Sequence, residues 1–464
     1  MALGRRKREQ QDQWVATCDL PKSPGHPFYA KLNTLLDEAG FDRFVEDLCK
    51  PYYAEKRGRP SIPPGVYFRM LFVGYMEGLA SQRAIAWRCS DSRSLQSFLG
   101  YAATDSTPEH SSLTVIRKRL PLEVHEAVFT FVLSIAKLKK LLKGASVAVD
   151  STLIEADAAM KSIVRRDGGD NWKEYVRQLM AEEGIDDPSD EDIRKFDRKR
   201  KKKVSNKDWV SPTDPDARIA KMKDGRTHLA YKTEHAVDVE TDLVLAARVC
   251  QADESDTATL AETLIHAQTH MVLAGSDAAI KDVIADKGYH STANLLQCEE
   301  WGIRGYIPER ASPRGRKWTD KPAEHKRAVY NNRRRVKGER GKRLGRLRSE
   351  YAERSFAHMC ETGGARRSWL HGLLDLTKRY LMCAAGKNLG VLMRALFGVG
   401  KPRAPQAGCA CVSASIVACI GRLAGLLRVS GVILLTRAGM HVFALRTRAT
   451  SDDHVSLRQI PTAA

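Results

Sequence analysis

Thr227-His228-Leu229-Ala230-Tyr231-Lys232-Thr233-Glu234-His235-Ala236-Val237-Asp238-Val239 alternates well enough to read as a β-strand, with Leu229, Tyr231, Thr233, His235 and Val237 on one side. Glu240-Thr241-Asp242 turns the chain, and Leu243 to Val249 returns it, which makes an antiparallel hairpin. Upstream, residues 145–153 read as a strand. Downstream, Asp253-Glu254-Ser255-Asp256 caps a helix running to about His270. Strand Asp282–Asp286, a helix near Thr292–Glu299 and strand Ile303–Ile307 follow, and helical segments containing Glu353 and Leu373–Phe397 close the core. The order β, hairpin, α, β, α, β, α is mixed α/β.

A hairpin joined to strands that alternate with helices fits a ribonuclease H-like sheet with flanking helices. In that fold, carboxylates from two adjacent strands and one helix meet at a sheet edge. Three acids stand at matching places. Asp150 ends the run Val147-Ala148-Val149. Asp286 follows Val283-Ile284-Ala285 and opens Asp286-Lys287-Gly288-Tyr289-His290-Ser291. Glu353 lies in Tyr351-Ala352-Glu353-Arg354-Ser355-Phe356-Ala357-His358, among arginines. Singly, an Asp at a strand end is ordinarily a cap or turn residue, and a surface Glu is ordinarily solvated. Together they suit two Mg²⁺ ions over a phosphodiester, with Asp150 bridging the ions, Asp286 binding one and Glu353 completing the other. Glu350 competes for the third place, but it points elsewhere on the helix.

The surrounding charge indicates which phosphodiester. The chain of 464 residues carries 76 Lys plus Arg against 56 Asp plus Glu, a net +20. The cations are clustered, as in Arg198-Lys199-Arg200-Lys201-Lys202-Lys203, so the expected partner is nucleic acid. The ten cysteines include no Cys-x-x-Cys and no zinc-finger spacing, and most read as buried thiols of a reducing cytosol. The charged start Met1-Ala2-Leu3-Gly4-Arg5-Arg6-Lys7-Arg8 has no apolar run behind it, so it is not a signal peptide. Gly338-Glu339-Arg340-Gly341-Lys342-Arg343 lacks the spacing of a phosphate-binding loop, and no nucleotide cofactor is expected.

Composition and pattern divide the chain into a loose arm over residues 1–24, a helical domain over 25–143 expected to bind DNA, a domain over 144–398 expected to be catalytic, and an atypical tail over 399–464. The catalytic domain carries basic inserts at about 155–222 and 309–348. In the helical part Gly58-Arg59-Pro60-Ser61-Ile62-Pro63-Pro64 is a rigid breaker with Ser61 as the next cap, and Thr107-Pro108 starts a helix bearing Arg117, Lys118 and Arg119. Short helices ending in a basic one suit helix-turn-helix docking on DNA, and equally an ordinary bundle. In the tail, Ala410–Leu435 is apolar but interrupted by Arg422 and Arg428, which favours a packed helix or a foreign extension over a membrane span.

Val149-Asp150-Ser151-Thr152, Ala285-Asp286-Lys287-Gly288-Tyr289-His290-Ser291 and Ala352-Glu353-Arg354-Ser355-Phe356-Ala357-His358 resemble the three catalytic blocks of bacterial DDE-type insertion-sequence transposases. The breaker at Gly58 and the Ser81–Leu99 helices resemble that group's N-terminal part. The likeness spans roughly residues 25–398 and is nearest to the eleven-eighty-two type within the IS-five-like group. It implies Asp150, Asp286 and Glu353 as catalytic metal ligands, with two Mg²⁺ (or Mn²⁺) ions. It also implies cleavage of double-stranded DNA at terminal inverted repeats, strand transfer into target DNA and a homodimeric synaptic complex in the cytoplasm, at the nucleoid. Lys287, Arg117, Lys118, Arg119, Arg333, Arg334, Arg335 and Arg354 are the expected DNA contacts. Related groups carry a Tyr, an Arg and a Lys around the Glu. Here Tyr351 and Arg354 flank Glu353, whereas position 349 is Ser and position 360 is Cys. A nuclease on the same scaffold without strand transfer, and an inactive DNA-binding remnant, are the alternatives.

Overall fold

In a computed structural model of the protein, the residues described are 16, 25–54, 61–166, 171–185, 187–199, 205–310, 316, 318–319 and 321–402. All belong to one compact unit. The expected arm and the tail, including Ala410–Leu435, lie outside them apart from residue 16 and a few residues after Phe397, as do Arg59, Pro60 and Arg200–Lys203.

Seven helices come first: α1 (Pro27–Glu38), α2 (Phe41–Cys49), α3 (Pro64–Glu77), α4 (Gln82–Asp91), α5 (Arg93–Phe98), α6 (His110–Arg119) and α7 (Leu122–Leu138). Their starts depart from the expected caps. The N-cap of α3 is Pro63, not Ser61, and Pro64 at N1 has no N–H that would need an acceptor. Helix α6 begins at His110 behind Glu109, two residues later than Thr107-Pro108 suggested. Helix α3 is buried nearly all round, including Arg69, whose guanidinium donates to Asn33, Asp37 and Asp42. A buried guanidinium needs such a ring of acceptors.

The second part supplies the sheet: β1 (Ser146–Glu155), β2 (Val164–Arg165), α8 (Trp172–Glu182), α9 (Asp190–Lys199), β3 (Trp209–Val210), β4 (Arg218–Lys221), β5 (Thr227–Asp238) and β6 (Val244–Gln251). Then come α10 (Asp256–Leu273), β7 (Asp282–Ala285), α11 (Thr292–Glu300), β8 (Arg304–Tyr306), α12 (Ala323–Lys337), α13 (Glu339–Phe356) and α14 (Leu373–Phe397). The main sheet runs β4-β5-β1-β7-β8, with β6 also on β5. Strand β5 is antiparallel to β1, β4 and β6, while β1, β7 and β8 are parallel. The structure is mixed α/β.

The described residues of both polar stretches form regular elements. The first holds α8 and α9, closed over Val176, Met180 and Ile193, the small β2–β3 ladder and the edge strand β4. The second holds α12 and the start of α13, which bury Ala328, Val329 and Leu344. The N-terminal helices share one continuous apolar core with the sheet and α14, from Leu32 and Phe72 through Val147 and Val283 to Leu389. Helix α14 is buried over most of its length. The six described cysteines, Cys49, Cys89, Cys250, Cys298, Cys360 and Cys383, are free and buried, as expected. Among the described residues, no helix is long and apolar enough to cross a membrane.

Candidate active site

The parallel register between β1 and β7 pairs Ala148 with Ile284 and Val149 with Ala285. The next residues along are Asp150 and Asp286. Side chains alternate across a strand. Ala148 and Ile284 pack together under Leu344 of α13, and two residues on, Asp150 and Asp286 lie on that same face. The carboxyl ends of parallel strands, where the sheet changes sense between β5 and β7, are the ordinary place for a site in an open α/β sheet.

Asp150 is mostly buried, and its Oδ1 accepts from the Ser151 backbone N–H at 2.9 Å. Arg348, reaching from α13, pairs with the same oxygen at 2.8 Å. Burial raises the Asp150 carboxyl above the usual carboxylate range. Arg348 and the Ser151 N–H oppose that rise, and the neighbouring Asp286 charge adds to it. Asp286 caps a short 3-10 turn over Lys287–Tyr289, accepting from Gly288 N at 2.6 Å. The Tyr289 ring is buried and its hydroxyl donates to Glu234 Oε1 at 2.6 Å, so this tyrosine packs rather than facing a ligand.

Glu353 is not brought to the pair. It is exposed. It stands nine residues after the buried Leu344, about two and a half turns at roughly 3.6 residues each, on the opposite side of α13. Glu350 is exposed as well and paired with Arg354. Among the described residues, no three His, Cys, Asp or Glu side chains form a group able to hold a metal ion. Asp150 and Asp286 do fit a hard divalent ion, which takes one or two carboxylates and fills its other positions with water and phosphate.

The model of the transposase DDE domain matches residues 147–385. The chain belongs to the DDE transposase family. A second model, Transposase domain (DUF772), matches residues 18–119 of this transposase. No curated protein and no solved structure matches the chain. The family cuts and rejoins the phosphodiesters of DNA and generally depends on divalent metal. The β-hairpin, β7, α13 and all of β1 but Ser146 therefore lie inside the matched transposase domain.

The expected DNA contacts separate into two kinds. Lys287, beside Asp286, is exposed, as are Lys118, Arg119 and Arg334. Arg119 covers the Tyr53 ring at 4.8 Å. Arg117 is not available to a phosphate: it is buried and paired with Asp375 of α14 at 3.1 Å. Arg335 donates to the Gly305 carbonyl at 3.0 Å and ties α12 to β8. Arg333 pairs with Glu309 at 2.8 Å, and Arg354 pairs with Glu350 while lying over the Tyr351 ring. His235, opposite Asp150 in the β1–β5 ladder, is wholly buried between Ser355 Oγ and Tyr380 Oη, each at 2.8 Å. It is structural, and burial lowers its pKa to about 3.

Sequence reasoning passed over Arg348 and Asp256. Arg348 was one cation in a basic run. Asp256 looked like a first-turn acid of α10, yet its Oδ1 accepts from Ser151 Oγ at 3.0 Å, one residue from Asp150.

Proposed function

We propose that this transposase serves an insertion sequence of the eleven-eighty-two type, cutting DNA at the terminal inverted repeats and joining the freed 3′-OH to target DNA. The observation that carries the reading is the juxtaposition of Asp150 and Asp286, each one residue past the last pair of the parallel β1–β7 ladder. The strand order supports a ribonuclease H-like domain: hairpin β6–β5 antiparallel to β1, then parallel β7 and β8.

Asp150 and Asp286 would hold the divalent metal, Mg²⁺ or Mn²⁺ and two ions in the full reading. The metal, when bound, supplies charge neutralisation at the entering and leaving oxygens of the phosphodiester. The chain's own residues do the rest. The rigid strands β1 and β7 fix the two carboxylates. Exposed Lys287 lies where a phosphate beside Asp286 would need a countercharge. Lys118, Arg119 and Arg334 would bind the DNA backbone, and the N-terminal helices would grip the element ends in a homodimeric synaptic complex. Glu353 enters as third carboxylate once α13 turns on its axis and carries Arg348 off Asp150. The π-helical turn Ala357–Thr362, immediately after α13, is where such a turn can be absorbed.

A second reading, an inactive DNA-binding remnant, is favoured by one specific observation: Arg348 covers Asp150 while Glu353 faces away. The deciding experiment incubates the full chain with Mg²⁺ or Mn²⁺, DNA carrying the flanking element ends, and a target plasmid. Cleavage and joined product from wild type, lost in Asp150→Ala and Asp286→Ala, are expected. Binding without cleavage by wild type would establish the remnant, cleavage without joining a plain nuclease, and equal cutting by wild type and Asp150→Ala would remove Asp150 from the mechanism.

A further inference from the structure

Behind the two aspartates, on the far side of the sheet from α13, lies a polar network that the transposase reading does not use. Asp256 opens α10. Its Oδ1 accepts from Ser151 Oγ at 3.0 Å and pairs with Lys232 Nζ at 2.9 Å. Lys232, almost wholly buried in β5, also donates to Thr259 Oγ1 at 3.0 Å and to the Glu254 carbonyl at 3.2 Å. The other Asp256 oxygen lies against the turn that carries Asp286. A Cβ added to Gly288 would stand 2.5 Å from Asp256 Oδ2 and 2.8 Å from Asp286 Oδ1. Tyr289, next along, is anchored to fully buried Glu234.

One carboxylate thus touches both the strand that carries Asp150 and the turn that follows Asp286. Through Ser151 it holds β1 beside Asp150, and across Gly288 it borders the Asp286 turn. A helix-opening acid is commonly explained by the helix dipole alone. That explanation accounts for neither the Ser151 bond nor the close fit at Gly288, where any side chain would drive Asp256 and Asp286 apart.

We propose that Asp256 is a positioning residue of the transposase, setting the spacing between Asp150 and Asp286 by bonding Ser151 on one side and abutting Gly288 on the other. The inference rests on the two-aspartate reading above. It acts through carboxylate geometry, so it should appear in metal affinity before any DNA is added. Partners of this kind cost about 10- to 100-fold in metal affinity when removed.

The test is Mn²⁺ binding to the full chain without DNA, followed by electron paramagnetic resonance of the free ion at neutral pH, with Tm recorded for each variant. The variants are Asp150→Asn, Ser151→Ala, Ser151→Thr and Asp256→Asn. Asp150→Asn should lose binding. Asp256→Asn and Ser151→Ala should weaken it about tenfold, with Tm within a few degrees of wild type, and Ser151→Thr, which keeps the hydroxyl, should restore it. Should Asp256→Asn fold poorly, the Ser151 pair decides. Wild-type affinity in Ser151→Ala, beside loss in Asp150→Asn, would overturn the positioning role alone. Wild-type affinity in Asp150→Asn would overturn the two-aspartate reading and the positioning role with it.

Discussion

Arg348 Nη2 stands 2.8 Å from Asp150 Oδ1, a cation from α13 placed on a carboxylate in the middle of β1. The pair restrains Asp150, whose carboxyl burial and Asp286 push upward. In Arg348→Ala those two influences are unopposed except by the Ser151 N–H, so the Asp150 pKa rises further. As pH falls, Asp150 then loses its charge earlier, and the acid limb of Mn²⁺ binding moves to higher pH. Above that limb the variant binds more tightly, on the order of tenfold, because a competing positive charge is gone. Mn²⁺ titrations across pH check both effects. An unmoved limb with unchanged affinity would mean that Arg348 is irrelevant to the site.

Glu353 and Glu350 separate by their places on α13. Glu350→Gln removes only a surface pair with Arg354, worth a few tenths of a kcal/mol. It should leave stability and strand transfer nearly unchanged. Glu353→Gln should leave Tm unchanged and lower strand transfer by about a hundredfold or more, the scale of a lost metal ligand or its close support. Gel-based joining assays on both variants provide the comparison. Equal, near-wild-type joining by the two would exclude Glu353 as third carboxylate.

Lys387 of α14 reaches the turn of the β5–β6 hairpin. Its Nζ donates to the Asp242 carbonyl and pairs with Oδ1 at 2.9 Å, with both side chains buried. Lys387→Met leaves the Asp242 carboxylate buried without its cation. Breaking one partner of such a pair costs about 3–5 kcal/mol. Asp242 sits at φ 66°, a region that Asn also tolerates. The double variant Asp242→Asn/Lys387→Met should therefore recover much of the loss, since neither charge remains. Denaturant unfolding of the single and double variants measures this, and a double variant no more stable than the single would show that the loss was packing rather than charge.

The hairpin and both aspartates were legible because strand alternation and a polar turn are local signals. Helix α14 was found at its true bounds because its apolar run is long. The arrangement within 155–222 and 309–348 was not. Strand β4 forms from backbone pairing to β5 and buries little of its own, so Arg218–Lys221 gives no pattern. Helices α12 and α13 bury small or polar residues such as Ala328, Asn332, Gly341 and Ser355, which a hydrophobic count overlooks. Spacing placed Glu353 on a helix, but only the burial of Leu344 and Phe356 reveals which way the helix faces. Asp256 read as a cap because its second role depends on Ser151, more than a hundred residues away.

Three histidines are held neutral by burial. His125 and His270 are lowered to about 4 and His235 to about 3, from an ordinary 6.5. Each has a partner suited to the neutral ring: Tyr67 and the Pro121 carbonyl for His125, the Leu245 carbonyl for His270, Ser355 and Tyr380 for His235. Because the folded values lie below the unfolded one, the unfolded chain binds more protons between about pH 6.5 and 4. Stability is then fully present above the unfolded value and falls as pH drops through the window. Each histidine contributes about 1.4 kcal/mol per pH unit there. Tm should be flat from pH 8 to about 7 and fall steeply below about 6. Replacing His270, the least deeply buried of the three, with Gln should make that fall shallower, since Gln can still donate to Leu245 and does not titrate. A wild-type Tm that stays level down to about pH 5 would show that these rings carry no such linkage.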